Sequence, residues 1–162
     1  MSLHFQPMDE ATARAIHGWR YEPPYDVYDL AAEPVEDLVR AFLEPQNAYY
    51  AIRDEEGEVV AYCCFGPDGR VPGGDYGPDA LDVGLGVRPD LTGQGQGAAY
   101  VQAVLDFAHR RWSPPAFRVT VAEFNLRAQR VWEKAGFRQA QRFGRSTDGM
   151  PFVVLVWRAG GG

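Results

Sequence analysis

The chain has 162 residues, of which 46% are hydrophobic and 13% aromatic, so it is long enough to form one domain with a full core. Its formal net charge of −6 at pH 7 argues against nucleic acid as the main partner and is compatible with a cationic one. No apolar run approaches the length of a membrane span, and the first residues lack the pattern of a secretion signal. We therefore expect a cytoplasmic protein with neither nucleic acid nor membrane as partner.

The first half of the chain predicts a strand, two helices and a hairpin. A strand begins at His4, and Asp9 is expected to cap a helix with an apolar stripe of Ala11, Ala15, Ile16 and Trp19. A segment rich in Pro and Tyr follows, and then a helix after Pro34 with Val35, Leu38, Val39 and Phe42 facing inward. Residues 48–53 and 59–65 predict a hairpin, and residues 66–79 form a long loop of glycine and proline.

The second half begins with a strand pattern over residues 81–87 that stops at Pro89. Three glycines at alternate positions come next, Gly93, Gly95 and Gly97, and a helical pattern runs from Ala98 to Trp112. A strand from Phe117 that ends in Asn125 precedes a helix over residues 126–135, which Gly136 ends. Residues 138–145 and 151–158 predict a closing hairpin.

A glycine loop that opens a helix presents bare N–H groups and the positive end of the helix dipole, and it can hold a phosphate or pyrophosphate. A P-loop is excluded because Gly97 is followed by Ala98-Ala99 rather than by Lys-Ser/Thr. A Rossmann loop is excluded because its third Gly or Ala is missing and residues 117–121 offer no acidic residue. A tight turn with no ligand remains an alternative.

Two segments carry a family resemblance. Thr92-Gly93-Gln94-Gly95-Gln96-Gly97 resembles the pyrophosphate loop of the GNAT superfamily of N-acetyltransferases, which reads Gln/Arg-x-x-Gly-x-Gly/Ala. Asn125, followed by a helix that ends in Glu133-Lys134-Ala135-Gly136-Phe137, resembles a second motif of the same superfamily. The order of predicted elements agrees with this resemblance over nearly the whole chain.

The resemblance implies one GNAT domain over residues 1–162, with a mixed α/β fold. The fold would have a central, mostly antiparallel sheet, helices on both faces, and one parallel pair of strands, around residues 81–87 and 117–121. These two strands would splay apart to admit the cofactor arm. A homodimer is also a family-based expectation.

The resemblance further implies acetyl-CoA as acyl donor, with backbone donors near Leu85 and Val87 polarising the thioester carbonyl. Gly84 and Gly86 either open this strand to the cofactor or allow close packing against a helix. The residues expected to bind the cofactor are Leu85, Gly86, Val87, Thr92, Gly93, Gln94, Gly95, Gln96, Gly97, Asn125, Ala128 and Trp132.

Acetyl transfer to an amine needs a proton acceptor, because an alkylamine has a pKa near ~10. Asp82 on the key strand is the first candidate and Glu123 the second, and each has an alternative structural role. Trp132 occupies the position where the family often presents a tyrosine as general acid, and an indole N–H does not exchange a proton near neutral pH.

The acceptor is expected to bind between the first helices and the 66–79 loop, against aromatic and acidic side chains suited to a cation. The candidates are Trp19, Tyr25, Tyr28, Asp75 and Tyr76, and each aromatic ring could instead pack on the core. The acceptor would be a protein N-terminus, an aminoglycoside or another small amine. The alternative is a catalytically silent acyl-CoA-binding module.

The adjacent cysteines and the scattered histidines carry no predicted chemistry. Cys63 and Cys64 predict buried strand thiols with no histidine beside them, so we expect direct attack by the amine and no acetyl-enzyme. His4, His17 and His109 lack the spacing of metal ligands, so no metal is expected.

Overall fold

The computed structural model describes residues 2–160. Within them, seven strands form one sheet, and four α-helices pack on it. The elements are β1 (His4–Pro7), α1 (Glu10–His17), α2 (Val35–Leu43), β2 (Tyr50–Arg53), β3 (Val59–Phe65), β4 (Leu81–Val87), α3 (Gly97–Trp112), β5 (Ala116–Ala122), α4 (Leu126–Lys134), β6 (Arg138–Gly144) and β7 (Pro151–Arg158).

The strands lie in the order β1-β2-β3-β4-β5-β7-β6. Every neighbouring pair is antiparallel except β4 and β5, which are parallel. The predicted mixed α/β fold, with a mostly antiparallel sheet and one parallel pair, is confirmed.

Helices cover both faces of the sheet because neighbouring residues of a strand point to opposite sides. On β3, Cys63 and Phe65 pack in a core with α3 and α4, whereas Tyr62 packs against a second core that contains Ile16 of α1 and Phe42 of α2. β3 therefore lies between two separate apolar cores, and β4 pairs with it along one edge.

The first helix begins where Asp9 predicts it, since the Asp9 carboxylate accepts a hydrogen bond of 2.7 Å from the Thr12 N–H. Its predicted apolar stripe is correct at Ile16 and Trp19, which pack in the second core, and wrong at Ala11 and Ala15. Thr12, Ala13 and Ile16 are buried, whereas Ala11 and Ala15 are exposed, because the sheet and α2 cover the face that carries Ala13 and Ile16. The second helix follows the prediction, with Leu38, Val39 and Phe42 buried.

Two boundaries differ from the predictions because of local backbone conformation. Ala48 has a φ of 45°, which ends a 3₁₀ turn over residues 45–47, so β2 begins at Tyr50. β5 ends at Ala122, and the Asn125 N–H donates to the Ala122 carbonyl in the turn that leads to α4. Gly136 has the positive φ, 102°, that was predicted for the residue ending this helix.

None of the described helices is long and apolar enough to cross a membrane. Residues 2–160 also contain no group of three or more His, Cys, Asp and Glu side chains arranged to hold a metal ion.

Candidate active site

A cleft opens where β4 and β5 separate. The two strands pair only from Leu81 to Val83 and from Phe117 to Val119, although β4 continues to Val87 and β5 to Ala122. The cleft has a volume of about 740 Å³, and both strands, the glycine loop and α4 line it. The predicted separation of the two parallel strands is thus present, and the cleft between them opens toward the N-terminus of α3.

The register of β3 and β4 determines which backbone groups face this cleft. Asp82 accepts a hydrogen bond from Gly66 in the loop after β3, and Arg88 donates one to Val60 of β3, both 2.9 Å long. Because donors and acceptors alternate along an antiparallel pair, the even-numbered residues of β4 bond β3 and the odd-numbered ones face the other edge. Beyond Val83 that edge has lost its partner strand, so the N–H groups of Leu85 and Val87 face the cleft.

The glycine loop lies at the end of the same cleft. Gly93 and Gly95 have φ values of 72° and 76°, which residues with a Cβ rarely adopt. The Gln94 side chain donates to the Asp90 carbonyl and the Thr92 hydroxyl donates to Pro89, so two side chains anchor the loop rather than project into the cleft. Within residues 2–160, the backbone N–H groups of residues 93–98 donate to no protein acceptor.

Free N–H groups at the first turn of a 16-residue helix fit an anion, because the helix dipole adds to their positive charge. Gly95 has open space where a Cβ would stand, and Gly93, Gly95 and Gly97 all line the cleft. Gln94 and Gln96 are exposed, and the Gln94 side chain bonds Asp90 within the loop and not a group in the cleft. The residues present therefore fit a pyrophosphate group.

Arg127 is a cation beside this loop that the sequence patterns did not single out. Its guanidinium lies 2.9 Å from where a Cβ on Gly93 would stand, and it stacks 4.4 Å above the ring of Tyr25. Arg127 and Lys134 both line the cleft from α4. A basic residue in the first turn after Asn125 is the signal that the sequence offers, but the packing of α4 against α3 determines which way its side chain points.

Asn125 makes two side-chain hydrogen bonds, each 3.1 Å long. Its oxygen accepts from the Ala128 N–H and caps α4, and its amide nitrogen donates to the Tyr28 hydroxyl. Burial raises the pKa of Tyr28, against the opposing effect of its hydrogen bonds with Asn125 and Ala122. Tyr28 therefore stays protonated at neutral pH.

The segment from Tyr21 to Tyr28 crosses the cleft and joins its two sides. The Tyr21 hydroxyl donates to the Val87 carbonyl at 2.7 Å, and the rings of Tyr25 and Tyr28 both pack on Phe124. Tyr25 and Tyr28, expected to contact the acceptor, do line the cleft. Both also pack on the ring of Phe124, so the packing alternative is confirmed, and their contact with the acceptor stays a prediction.

Trp132 lies away from the cleft. It is buried in the core under α4, and its ring packs against Phe137 at 5.0 Å. Ala128 and Val131, on the adjoining face of α4, line the cleft instead. The structure therefore does not bring the indole N–H to the place where a departing thiolate would sit.

Asp82 is buried in an ion pair. Arg118 donates to its two oxygens at 2.6 and 2.9 Å, and Arg70 donates at 2.8 Å. Asp82 does not line the cleft, although Val83 and Gly84 do. Three N–H groups donate to the two oxygens of Asp82. The carboxylate therefore stabilises the fold as the counter-charge of two arginines and is not available to an acceptor in the cleft.

The remaining predicted site residues also lie outside the cleft lining. Glu123 pairs with Arg142, and Trp19 packs against Tyr62 at 5.9 Å. The Tyr76 hydroxyl bonds Thr120 and accepts from the Val71 N–H, and Asp75 is exposed in the same loop. None of these four side chains is brought to the cleft.

Gly84 and Gly86 both line the cleft, so the predicted opening of this strand to the cofactor stays a prediction, and the structure adds a second reason for glycine at these positions. A Cβ on Gly86 would lie 2.3 Å from the ring of Tyr62, and one on Gly84 would lie 2.6 Å from the sulfur of Cys64. Tyr62 and Cys64 are their cross-strand partners on β3. The two glycines thus make room for side chains of the neighbouring strand.

Comparison with known proteins agrees with this geometry. The model of the acetyltransferase (GNAT) family matches residues 12–137, well over half of the chain. The chain belongs to the GNAT family. This membership confirms the predicted acyltransferase class and acetyl-CoA as the acyl donor.

Solved structures of GNAT proteins share the fold. A chimera of the Vibrio cholerae spermidine N-acetyltransferase SpeG with hSSAT superposes with a TM-score of 0.77 at 14% identity, covering 98% of this chain and 96% of its own. The aminoglycoside acetyltransferase AAC(6')-Ib, solved with paromomycin and acetyl-CoA, gives 0.76 at 20% identity, covering 98% and 94%. A GNAT acetyltransferase from Bacillus anthracis gives 0.69 at 16% identity, covering 98% and 95%. No curated protein sequence gives a significant match.

Proposed function

We propose that this chain transfers the acetyl group of acetyl-CoA to the primary amine of a small cationic molecule, by direct attack of the nitrogen on the thioester. The cleft between β4 and β5 carries this proposal, because it joins a turn of free N–H groups to a wall of tyrosines and carboxylates, among them Tyr62, Asp29 and Asp68. Two structural neighbours, a spermidine N-acetyltransferase chimera and an aminoglycoside acetyltransferase, favour small amines over protein N-termini as acceptors.

Acetyl-CoA supplies an activated thioester, and this chain's residues bind and orient it. The N–H groups of residues 93–98 are suited to the pyrophosphate, and those of Leu85 and Val87 to the thioester carbonyl and the cofactor arm. Asn125, Ala128 and Arg127 line the same cleft from α4. Beyond Val83, β4 has no partner strand on this edge. This opening supports a position for the pantetheine arm of acetyl-CoA along β4, in the place that a paired β5 would otherwise take.

An acceptor screen tests the proposal. Wild-type protein is incubated with acetyl-CoA and a panel of amines that includes spermidine, kanamycin and peptides with free N-termini, and thiol release is measured. We expect release with small cationic amines and a rate that rises with pH as the amine loses its proton. Binding of acetyl-CoA without thiol release from any amine would instead support the silent binding module.

Replacing Arg127 with alanine is expected to weaken acetyl-CoA binding about tenfold, because a charged hydrogen-bond donor contributes ~1.5 kcal/mol or more. Calorimetry at two salt concentrations measures this, and the difference between variant and wild type should shrink at high salt. Arg130→Ala is the matched control, since Arg130 is exposed on the same helix and does not line the cleft. Equal affinities of the two variants would remove Arg127 from the site.

The Cys63→Ala/Cys64→Ala variant is expected to retain turnover if it folds. Burial raises the pKa of Cys63 well above its usual value and that of Cys64 to about 12, so both remain thiols at neutral pH and are poor nucleophiles. Intact mass spectrometry after incubation of the wild type with acetyl-CoA should show no added acetyl group. An acetylated protein that is chased to product by amine would contradict direct attack.

The homodimer, the cytoplasmic location and the extent of the domain over residues 1–162 stay predictions. Size-exclusion chromatography with light scattering tests the first of these.

A further inference from the structure

Attack on a thioester by an amine requires a proton acceptor at the cleft, and the two predicted acceptors are engaged elsewhere. Asp82 is held by Arg118 and Arg70, and Glu123 is held by Arg142, both outside the cleft lining. Among the described residues, Asp29 and Asp68 are the carboxylates that do line the cleft. Neither forms an ion pair with an arginine or lysine of residues 2–160.

Asp68 lies at the end of the cleft where β4 and β5 still pair. It belongs to a 3₁₀ turn over Pro67–Gly69, directly after β3. The Gly66 N–H donates to the Asp82 carbonyl, and a Cβ on Gly69 would contact the backbone of Val83 at 3.5 Å. The turn is thus fixed on β4 just before Leu85, whose N–H faces the cleft. Asp29 accepts a hydrogen bond from the Tyr21 N–H, and Tyr21 bonds Val87 farther toward the glycine loop.

Tyr49 orients the Asp68 carboxylate. The Tyr49 hydroxyl donates to one oxygen of Asp68, and the Tyr49 ring stacks on Phe42 at 4.0 Å. One oxygen therefore has a fixed neutral donor, whereas the other accepts no hydrogen bond from the described residues.

Asp68 is exposed to solvent, and no arginine or lysine of the described residues forms an ion pair with it. Tyr62 and Cys64 of β3 and Tyr49 before β2 are near enough for its charge to act on them, and burial keeps all three neutral by raising their pKa. Arg70 and Arg118 are engaged with Asp82 of β4. Of the cations that line the cleft, Arg145 is paired with Asp148, and Arg127 and Lys134 belong to α4. No histidine lines the cleft among the described residues.

We propose that Asp68 binds the ammonium group of the acceptor and then receives a proton from its nitrogen as the C–N bond forms. This rests on the proposed acetyl transfer. Asp68 is in this role a catalytic residue, and the apolar wall of Tyr62, Val71 and Phe152 receives an apolar or aromatic stem. The acceptor class is a primary alkylamine with a positive charge at its reacting end.

The protons balance as follows. The bound ammonium loses its first proton to solvent and becomes a neutral amine, which attacks the thioester carbon. The C–N bond forms, the nitrogen becomes acidic and gives a second proton to Asp68, and the C–S bond breaks. The sulfur leaves as a thiolate and takes a proton from solvent, while Asp68 returns its own to solvent, so one ammonium and one thioester yield an amide, a thiol and one free proton.

Binding of 2-phenylethylamine and of the uncharged 2-phenylethanol to the protein, with and without CoA, tests the first step by calorimetry at neutral pH. The wild type is expected to prefer the amine, and Asp68→Asn to lose at least about tenfold of that preference. Asp75→Asn, an exposed carboxylate of the same loop outside the cleft, is expected to keep it. No preference in the wild type, or the same preference in Asp68→Asn, overturns the proposal. A failure of CoA itself to bind is a separate result that counts against the proposed function.

The second step is tested by the pH dependence of thiol release with 2-phenylethylamine and acetyl-CoA. Asp68→Asn is expected to lower kcat about a hundredfold across the pH range, with an unchanged KM for acetyl-CoA. Tyr49→Phe should give a smaller loss, because it only orients the carboxylate. A wild-type kcat in Asp68→Asn, measured on protein with the same thermal midpoint as Asp75→Asn, would overturn the proton-transfer role.

Discussion

Gly95→Asp is expected to weaken acetyl-CoA binding about tenfold to a hundredfold. The new carboxylate would stand among the free N–H groups of residues 93–98, where it would occupy donors and repel a pyrophosphate. Loss of hydrogen bonds to a charged group costs ~1.5–3 kcal/mol, which corresponds to this range of affinity. Isothermal calorimetry with CoA measures the effect directly.

Gly57→Asp is a closely matched control for this substitution. Gly57 has a φ of 83° and open space at its Cβ position, like Gly95 with 76°, but it lies in the turn between β2 and β3. Both variants should lose a similar ~1 kcal/mol of stability because of the positive φ. Gly97 is less suitable, since a Cβ there would press on Val131 at 3.2 Å and disturb the packing of α3 on α4. Equal CoA affinities of Gly95→Asp and Gly57→Asp would mean that the loop does not hold the pyrophosphate.

Asp82→Asn is expected to destabilise the protein by ~3–5 kcal/mol. The substitution leaves the Arg118 guanidinium, which is 3% exposed, without its counter-charge in the interior. That loss is a large part of the stability of an ordinary domain, so the urea midpoint should fall markedly.

Two further variants test whether burial of the Asp82–Arg118 ion pair causes this loss of stability. Asp148→Asn breaks an exposed pair with Arg145 and should change stability by less than ~1 kcal/mol. Asp82→Asn combined with Arg118→Met should be more stable than Asp82→Asn alone, because the uncompensated charge is then removed. An Asp82→Asn protein as stable as the wild type but slow in turnover would return the role of proton acceptor to Asp82.

The glycine loop and the helix that follows Asn125 could be predicted, because the residues that define each of them lie close together in the sequence. Three alternate glycines, a strand before them and a helix after them lie within a short stretch, and the structure has these elements in that order. The mostly antiparallel sheet and its single parallel pair followed from the resemblance carried by these motifs. The order of the strands in the sheet was not predicted, since composition and periodicity alone do not determine which strands pair.

The partners of the ionisable side chains could not be read from the sequence. Asp82 meets Arg118 because the parallel register of β4 and β5 sets these two residues side by side, 36 positions apart in the chain. Trp132 sits at a family motif position, yet the rotation of α4 turns it toward Phe137. Asp68 could not be told apart in sequence from the other acidic residues of its loop. Its place in the cleft depends on the packing of its turn against β4, which the sequence does not show.

Tyr62 of β3 lies opposite Gly86 of β4, and both residues line the cleft. The shape of the cleft therefore depends on β3 as well as on the two strands that separate to form it. Any residue larger than glycine at position 86 would push the Tyr62 ring, which is itself part of the cleft wall. Conversely, a smaller residue at position 62 would leave a void over β4 at the same point. Substitutions at these two positions should therefore be non-additive, and acceptor selectivity could be redesigned from β3 by paired changes that leave the backbone donors of β4 in place.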